Sequence, residues 1–229
     1  MSRNPGEIRQ LSRRGALASL LAIGVALHGA PLLATTKRKF YLQPLGSGLK
    51  QSDVEFVKKS LLAFYDFDLE VLPEVPLPKN AYYAPRNRYR AEKLLTFLKQ
   101  KLPEDGFRIL GITTKDISTT KGKIKDWGIL GLATIDGVAC VISSFRTKRK
   151  TKNHQHALDR FGKVAVHEIG HTLGLNHCPT KGCLMRDAEG SVLSSDHEYD
   201  LCSEICRKQL VRAGYELSGG TPPWPKPGS

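Results

Sequence analysis

The sequence predicts an α/β (α+β) domain in which a mixed, twisted sheet packs on helices. Apolar strand-like runs alternate with amphipathic helical segments along much of the chain, which favours a layered α/β architecture. An Asp-Gly pair at 136–137 joins two apolar runs, as is typical of an antiparallel hairpin. A purely parallel sheet is therefore not expected. A length of 229 residues with 40% hydrophobic content suits one ordinary domain.

The individual elements follow from periodicity and from turn residues. Four helices are expected, the last of them weaker, and the first opens with the capping box Ser52-x-x-Glu55. The predicted strands are 40–44, 69–73, 107–113, 127–134 and 137–145. The predicted helices are 52–65, 87–102, 156–174 and 203–213.

The two ends of the chain differ in composition from the domain between them. Four arginines precede the apolar run GALASLLAIGVAL and small residues follow it, the layout of a signal peptide over residues 1–34, cleaved or kept as an anchor. The paired arginines in SRRGAL allow either a twin-arginine or an ordinary export route. Residues 35–216 would form the domain, and the Pro/Gly-rich residues 217–229 are predicted to be disordered.

The chain is basic, with a formal net charge of +13 that falls to +10 without residues 1–34. The excess lies in short lysine and arginine clusters with no aromatic residues between them, so a single-stranded nucleic-acid binder is not indicated. A solvated basic surface accounts for such a balance without any specific partner. No specific nucleic-acid partner is predicted.

The segment HEIGHTLGLNH at 167–177 carries the clearest chemical signal. His167 and His171 are four residues apart and therefore share one face of a helix, with Glu168 beside them. If the helix continued, His177 would lie roughly 240° around its axis from His171, so it joins them only if the chain turns at Gly174. Three histidine nitrogens leave a fourth zinc position open, as in catalytic sites.

The same segment, continued by CPTKGCLM, resembles the archaemetzincin (archaelysin) family of metzincin zinc metallopeptidases. Further similarity lies in the segments 81–95, 108–117 and 131–146. The resemblance implies a metzincin-like zincin fold with an active-site helix and a small C-terminal subdomain. It also implies catalytic zinc on His167, His171 and His177, Glu168 as general base, and Met185 as the methionine of the Met-turn.

Four cysteines form two pairs whose spacings suit a tetrahedral thiolate site: Cys178 with Cys183, and Cys202 with Cys206. The resemblance implies that they hold a second, structural zinc ion. The chain departs from the family pattern in its last cysteine pair. The family usually has two residues between these cysteines, whereas three separate Cys202 from Cys206, so that Cys202 lies one residue early. An exported protein also meets an oxidising compartment, so disulfides remain the alternative.

The predicted function is therefore hydrolysis of peptide bonds by a zinc-dependent metallopeptidase with two zinc ions per chain. We expect an exported monomer (periplasmic or secreted) that acts on peptides or proteins and has no membrane contact once the signal is removed. Two alternatives remain open. One is a basic binding protein whose fold is stabilised by zinc, and the other is a hydrolase of a non-peptide amide.

Overall fold

The computed structural model describes residues 37–226 and residue 228. The predicted signal peptide at 1–34 lies outside the described residues. Within the described part of the chain, no helix is both long enough and apolar enough to cross a membrane. The strands are β1 Lys39–Leu45, β2 Asp68–Val71, β3 Tyr82–Tyr83, β4 Arg88–Arg90, β5 Arg108–Thr113, β6 Ile117–Lys121, β7 Ile124–Ile129, β8 Gly131–Ala133 and β9 Ala139–Ser143. The α-helices are α1 Gln51–Leu62, α2 Ala91–Lys101, α3 Ser144–Thr147, α4 His154–Thr172 and α5 Lys208–Arg212.

The larger sheet has five strands in the order β2-β1-β5-β9-β8. The first four are parallel to one another, and β8 runs antiparallel to β9 at the edge. The turn between β8 and β9 contains Asp136 in the left-handed conformation, with φ 55°, and Gly137 donates its amide to the Thr134 carbonyl. The mixed sheet and the Asp-Gly hairpin predicted from the sequence are therefore confirmed.

The central strands of this sheet are covered on both faces, which explains their continuous apolar sequences. Alternate residues of β5 separate cleanly, since Leu110 and Ile112 enter one core cluster whereas Ile109 enters the other. The first cluster contains the apolar faces of α1 and α4, and the second contains that of α2. The result is a three-layer domain with α4, the histidine helix, packed directly on the sheet.

A second sheet of four strands has the order β3-β4-β6-β7. The sequence predicted one strand over 127–134, but the chain changes sheets at Leu130. Before it, β7 pairs with β6, and after it, β8 pairs with β9. Both halves are apolar and extended, so local pattern alone could not reveal the change of partner.

Two helix predictions were wrong at their N-terminal ends. The helix expected over 87–102 begins only at Ala91, because residues 88–90 pair as β4 with β3 and β6. The capping box does not form, since α1 begins at Gln51 and the Ser52 hydroxyl instead contacts Asp53.

The C-terminal tail also differs from the prediction of disorder. Trp224 is buried, stacks on Phe64 with ring centroids 5.7 Å apart, and donates its indole N–H to the Tyr199 carbonyl at 2.9 Å. Leu217 forms an isolated bridge with Tyr65. Pro and Gly content suggested disorder, but one large aromatic side chain with a matching site holds the tail to the core.

Candidate metal centre and active site

Hydrogen bonds fix both ends of helix α4, which carries His167 and His171. The Asn153 side chain caps the first turn by accepting the His156 amide at 2.9 Å. At the other end, Arg108 donates to the Thr172 carbonyl at 3.1 Å. Gly174 then turns the chain with φ 90°, as predicted. The turn is what brings the following residues back toward the helix.

The three histidines meet as the sequence predicted. Their candidate ligand atoms all lie within 4.8 Å of one another. The Nε2 atoms of His167 and His171 are 3.0 Å apart. Two nitrogens on one tetrahedral zinc ion would be separated by about 3.3 Å, given Zn–N bonds near 2.0–2.1 Å. The donor set and its spacing therefore fit zinc.

Hydrogen bonds on the far side of each ring orient two of these ligands. The Nδ1–H of His167 donates to the Leu184 carbonyl and that of His171 to the Leu175 carbonyl, each at 2.7 Å. A carbonyl only accepts, so both Nε2 atoms carry the lone pair that a metal needs. Burial, with a smaller contribution from His171, lowers the pKa of His167 to about 3, and burial also lowers the pKa of His171. Both rings are thus neutral near pH 7.

The third histidine, His177, is about half exposed and has a different neighbour. Its Nδ1 lies 3.7 Å from the Asp187 carboxylate. A carboxylate on the far side of a ligating imidazole helps to orient the ring. Sequence reasoning did not single out Asp187, because it follows the motif without a recognisable spacing signal.

Glu168 is only 6% exposed, and burial raises its pKa to about 8. The edge strand β8 lies against it at Gly131, where an added Cβ would approach the Glu168 Oε1 to 2.5 Å. Glycine is therefore required by the close approach of strand and carboxylate, a role that the sequence did not reveal. Glu168 thus contacts the edge strand, and it lines one cavity together with His167.

Met185 is fully buried beneath the histidine helix. A Cβ on Gly170 would approach the Met185 sulfur to 2.5 Å, so the two residues are in close contact. The Met185 carbonyl accepts the Cys178 amide at 2.8 Å. This position agrees with the packing role under the histidines that the resemblance implied.

The four paired cysteines also converge, and their sulfur atoms lie within 4.8 Å of one another. All four are free thiols, with 3.6 Å between Cys178 and Cys202 and 3.6 Å between Cys183 and Cys206. Sulfur atoms on one tetrahedral zinc would be about 3.8 Å apart for Zn–S bonds near 2.3 Å. The donor set fits zinc, and the backbone amide of Cys202 further donates to the Cys183 sulfur at 3.4 Å.

The unusual spacing of the second pair has a local structural explanation. Cys202 precedes one turn of π-helix, Ser203–Arg207, which then continues into α5. A π turn accommodates one residue more than an α turn. The additional residue between Cys202 and Cys206 is absorbed there, and Cys202 still reaches the cluster.

Comparison with known proteins agrees with this geometry. Residues 57–212 match the family model described as "Peptidase family M54". This chain belongs to peptidase family M54, the archaemetzincins. It is accordingly a zinc metallopeptidase.

Individual relatives cover most of the domain. The archaemetzincin of Archaeoglobus fulgidus is 34% identical over 171 residues, which is 74% of this chain and 98% of that protein. The archaemetzincin of Halobacterium salinarum is 32% identical over 155 residues, or 65% of this chain and 86% of that protein.

Solved structures show the same fold. The crystal structure of the A. fulgidus archaemetzincin complexed with malonate has a TM-score of 0.63 at 34% identity and covers 75% of this chain and 99% of that one. The archaemetzincin structure from Methanopyrus kandleri has a TM-score of 0.67 at 26% identity and covers 80% and 98% respectively. The metzincin-like fold expected from the sequence is thus confirmed.

Proposed function

We propose that this metallopeptidase hydrolyses peptide bonds with Glu168 as the general base. His167, His171 and His177 would hold the catalytic zinc ion, which supplies Lewis acidity for a water molecule and for the scissile carbonyl. The observation that carries the proposal is the convergence of the three imidazoles beside a buried carboxylate.

Glu168 is suited to moving a proton near neutral pH. Burial raises its pKa to about 8, and a zinc ion on the neighbouring histidines would favour the ionised carboxylate that accepts a proton. In the proposed reaction it takes a proton from the attacking water and delivers it to the leaving amine. A histidine-rich structural site would have no use for a base at this position.

The substrate backbone would bind along β8, the edge strand of the five-stranded sheet. An edge strand offers free main-chain donors and acceptors to an extended peptide. Because Gly131 of β8 lies against Glu168, a peptide bound there would pass its carbonyl groups close to the carboxylate. Peptides and proteins are thus the proposed substrates.

Cys178, Cys183, Cys202 and Cys206 would hold a second, structural zinc ion, which gives two zinc ions per chain. The sulfur separations support zinc over disulfides, since disulfide-bonded sulfurs lie about 2.05 Å apart. We further propose a monomer without a specific nucleic-acid partner, exported by residues 1–34.

The decisive experiment removes and restores zinc while products are identified. Chelated protein should lose cleavage of a mixed peptide library, and zinc should restore it. In ¹⁸O-labelled water, mass spectrometry should find the label in the new C-terminal carboxylates. A protein that retains two zinc ions and cleaves no peptide, but hydrolyses another amide or binds DNA in a salt-dependent way, would overturn the proposal.

A further inference from the structure

A cavity of about 310 Å³ lies beside the candidate active site, between β7, helix α4 and the segment after Met185. Both His167 and Glu168 line it. Its volume is at the lower end of the range for ligand pockets and exceeds that of any single side chain. A substrate side chain next to the scissile bond is therefore the group best placed to enter it.

The cavity is lined by a buried lysine on the histidine helix. Lys163 is four residues before His167 and so lies on the same helix face, yet it is only 6% exposed. Its ammonium donates to the Ser195 carbonyl at 2.9 Å. Burial lowers the pKa of Lys163, and the nearby acidic groups of Glu198, Asp159 and Asp196 oppose that effect. Its ammonium has three donors and forms no ion pair within 4.0 Å among the described residues. Donors thus remain for a ligand.

A buried carboxyl group lines the same cavity. Glu198 is 6% exposed, and its Oε1 is fully buried without a hydrogen-bond partner among the described residues. Burial, only partly offset by Lys163, raises the pKa of Glu198 to about 8. Near pH 7 the group is therefore mostly protonated and can donate an O–H. An unsatisfied buried polar group of this kind calls for a partner.

The charge around the cavity favours an anion. Its lining contains five basic side chains and two acidic ones. One of the basic side chains, Arg146, forms a bidentate salt bridge with Asp116. At the exposed side, Arg149, Lys150 and Arg186 line the cavity and have no carboxylate within 4.0 Å in the described part of the chain. Cationic side chains would be repelled, and carboxylates attracted.

We propose that this cavity is a specificity pocket for an Asp or Glu side chain next to the scissile bond, with Lys163 binding its carboxylate. Glu198 would donate a second hydrogen bond, and the outer cations would attract the substrate. The inference rests on the proposed peptidase function and adds to it the substrate class.

The test uses one internally quenched peptide sequence with Glu, Gln, Lys or Leu at each position flanking the cleaved bond. We expect kcat/KM for the best Glu peptide to be at least tenfold higher than kcat/KM for the matching Gln peptide. The difference from the matching Lys peptide should be larger still. Raised salt should reduce the Glu preference. Equal or faster cleavage of the Gln, Lys or Leu peptides would overturn the proposal.

Binding separates failure of the pocket from failure of the peptidase proposal. Dissociation constants of the same peptides are measured on zinc-loaded Glu168→Gln protein by fluorescence anisotropy. Preferential binding of the Glu peptide without cleavage by the wild type would support the pocket and refute the peptidase function. Binding without preference would refute the pocket whatever is cleaved.

Two variants test whether Lys163 and Arg186 recognise the carboxylate of the substrate side chain. In Lys163→Met the Glu-to-Gln ratio of kcat/KM should fall to about one, whereas the exposed control Lys148→Met should keep it. If Lys163→Met does not fold, Arg186→Gln, an exposed lining position, should reduce the ratio severalfold. A ratio unchanged in Arg186→Gln and in any folded Lys163→Met protein would contradict the assignment.

Discussion

Replacing Gly131 by alanine tests whether the edge strand positions the Glu168 carboxylate. The new Cβ would lie 2.5 Å from Oε1, 2.7 Å from Cγ and 2.8 Å from Cδ of Glu168. Ordinary van der Waals contact begins near 3.4 Å, so strand and side chain must separate by about 0.9 Å. Rotation of the carboxylate alone cannot relieve the clash, because Cγ and Cδ are also too close.

A displacement of about 1 Å in a catalytic group costs on the order of 100-fold in rate, or about 2.7 kcal/mol of transition-state stabilisation. We therefore expect kcat/KM of Gly131→Ala to fall about 100-fold on a fluorogenic peptide, with an unchanged zinc content. Gly219→Ala serves as the control, because its Cβ would have no neighbour within 4 Å. A Gly131→Ala protein that keeps activity within threefold of the wild type would refute this account of Glu168.

Three further predictions concern the surroundings of the site. Met185→Ala removes a fully buried side chain under the histidine helix. The free energy of unfolding, measured in urea, should therefore fall by about 2–5 kcal/mol. A loss below about 0.5 kcal/mol would contradict that packing. In Glu198→Gln, stability relative to the wild type should increase from pH 5 to pH 8.5. The folded wild type holds a proton up to a pKa of about 8 that the unfolded chain loses near 4.5, so wild-type stability decreases across that window. An equal difference in unfolding free energy at both pH values would contradict the burial of this carboxyl group. Cys178→Ser should weaken zinc binding by the histidines, because Cys178 directly follows the ligand His177. Competition with a chelator measures that affinity. Unchanged affinity and activity would count against coupling of the two sites.

The sequence predicted those features that depend on local geometry. Four-residue spacing placed His167 and His171 on one face, and the need for a turn at Gly174 explained how His177 returns. Both are consequences of helix dimensions, which hold in any fold. The Asp136-Gly137 hairpin was predictable because Asp and Gly tolerate the positive φ that tight hairpin turns need.

Features that depend on tertiary neighbours were missed. Residues 88–90 look helical in isolation and become β4 only because β3 and β6 pair with them. The close approach of Gly131 to Glu168 and the burial of Lys163 and Glu198 in one cavity depend on packing between distant segments. Trp224 is held by Phe64, a contact that the composition of the tail could not indicate.

The central claim is that Glu168 moves the proton while the three histidines hold the zinc ion. Its most direct test is kcat/KM of Glu168→Gln with zinc measured in the same sample, beside the exposed control Glu204→Gln. We predict two zinc ions per chain in both variants, with activity reduced by about 10²–10⁴-fold in Glu168→Gln alone. A Glu168→Gln protein that is zinc-loaded and turns over at the wild-type rate would contradict the account.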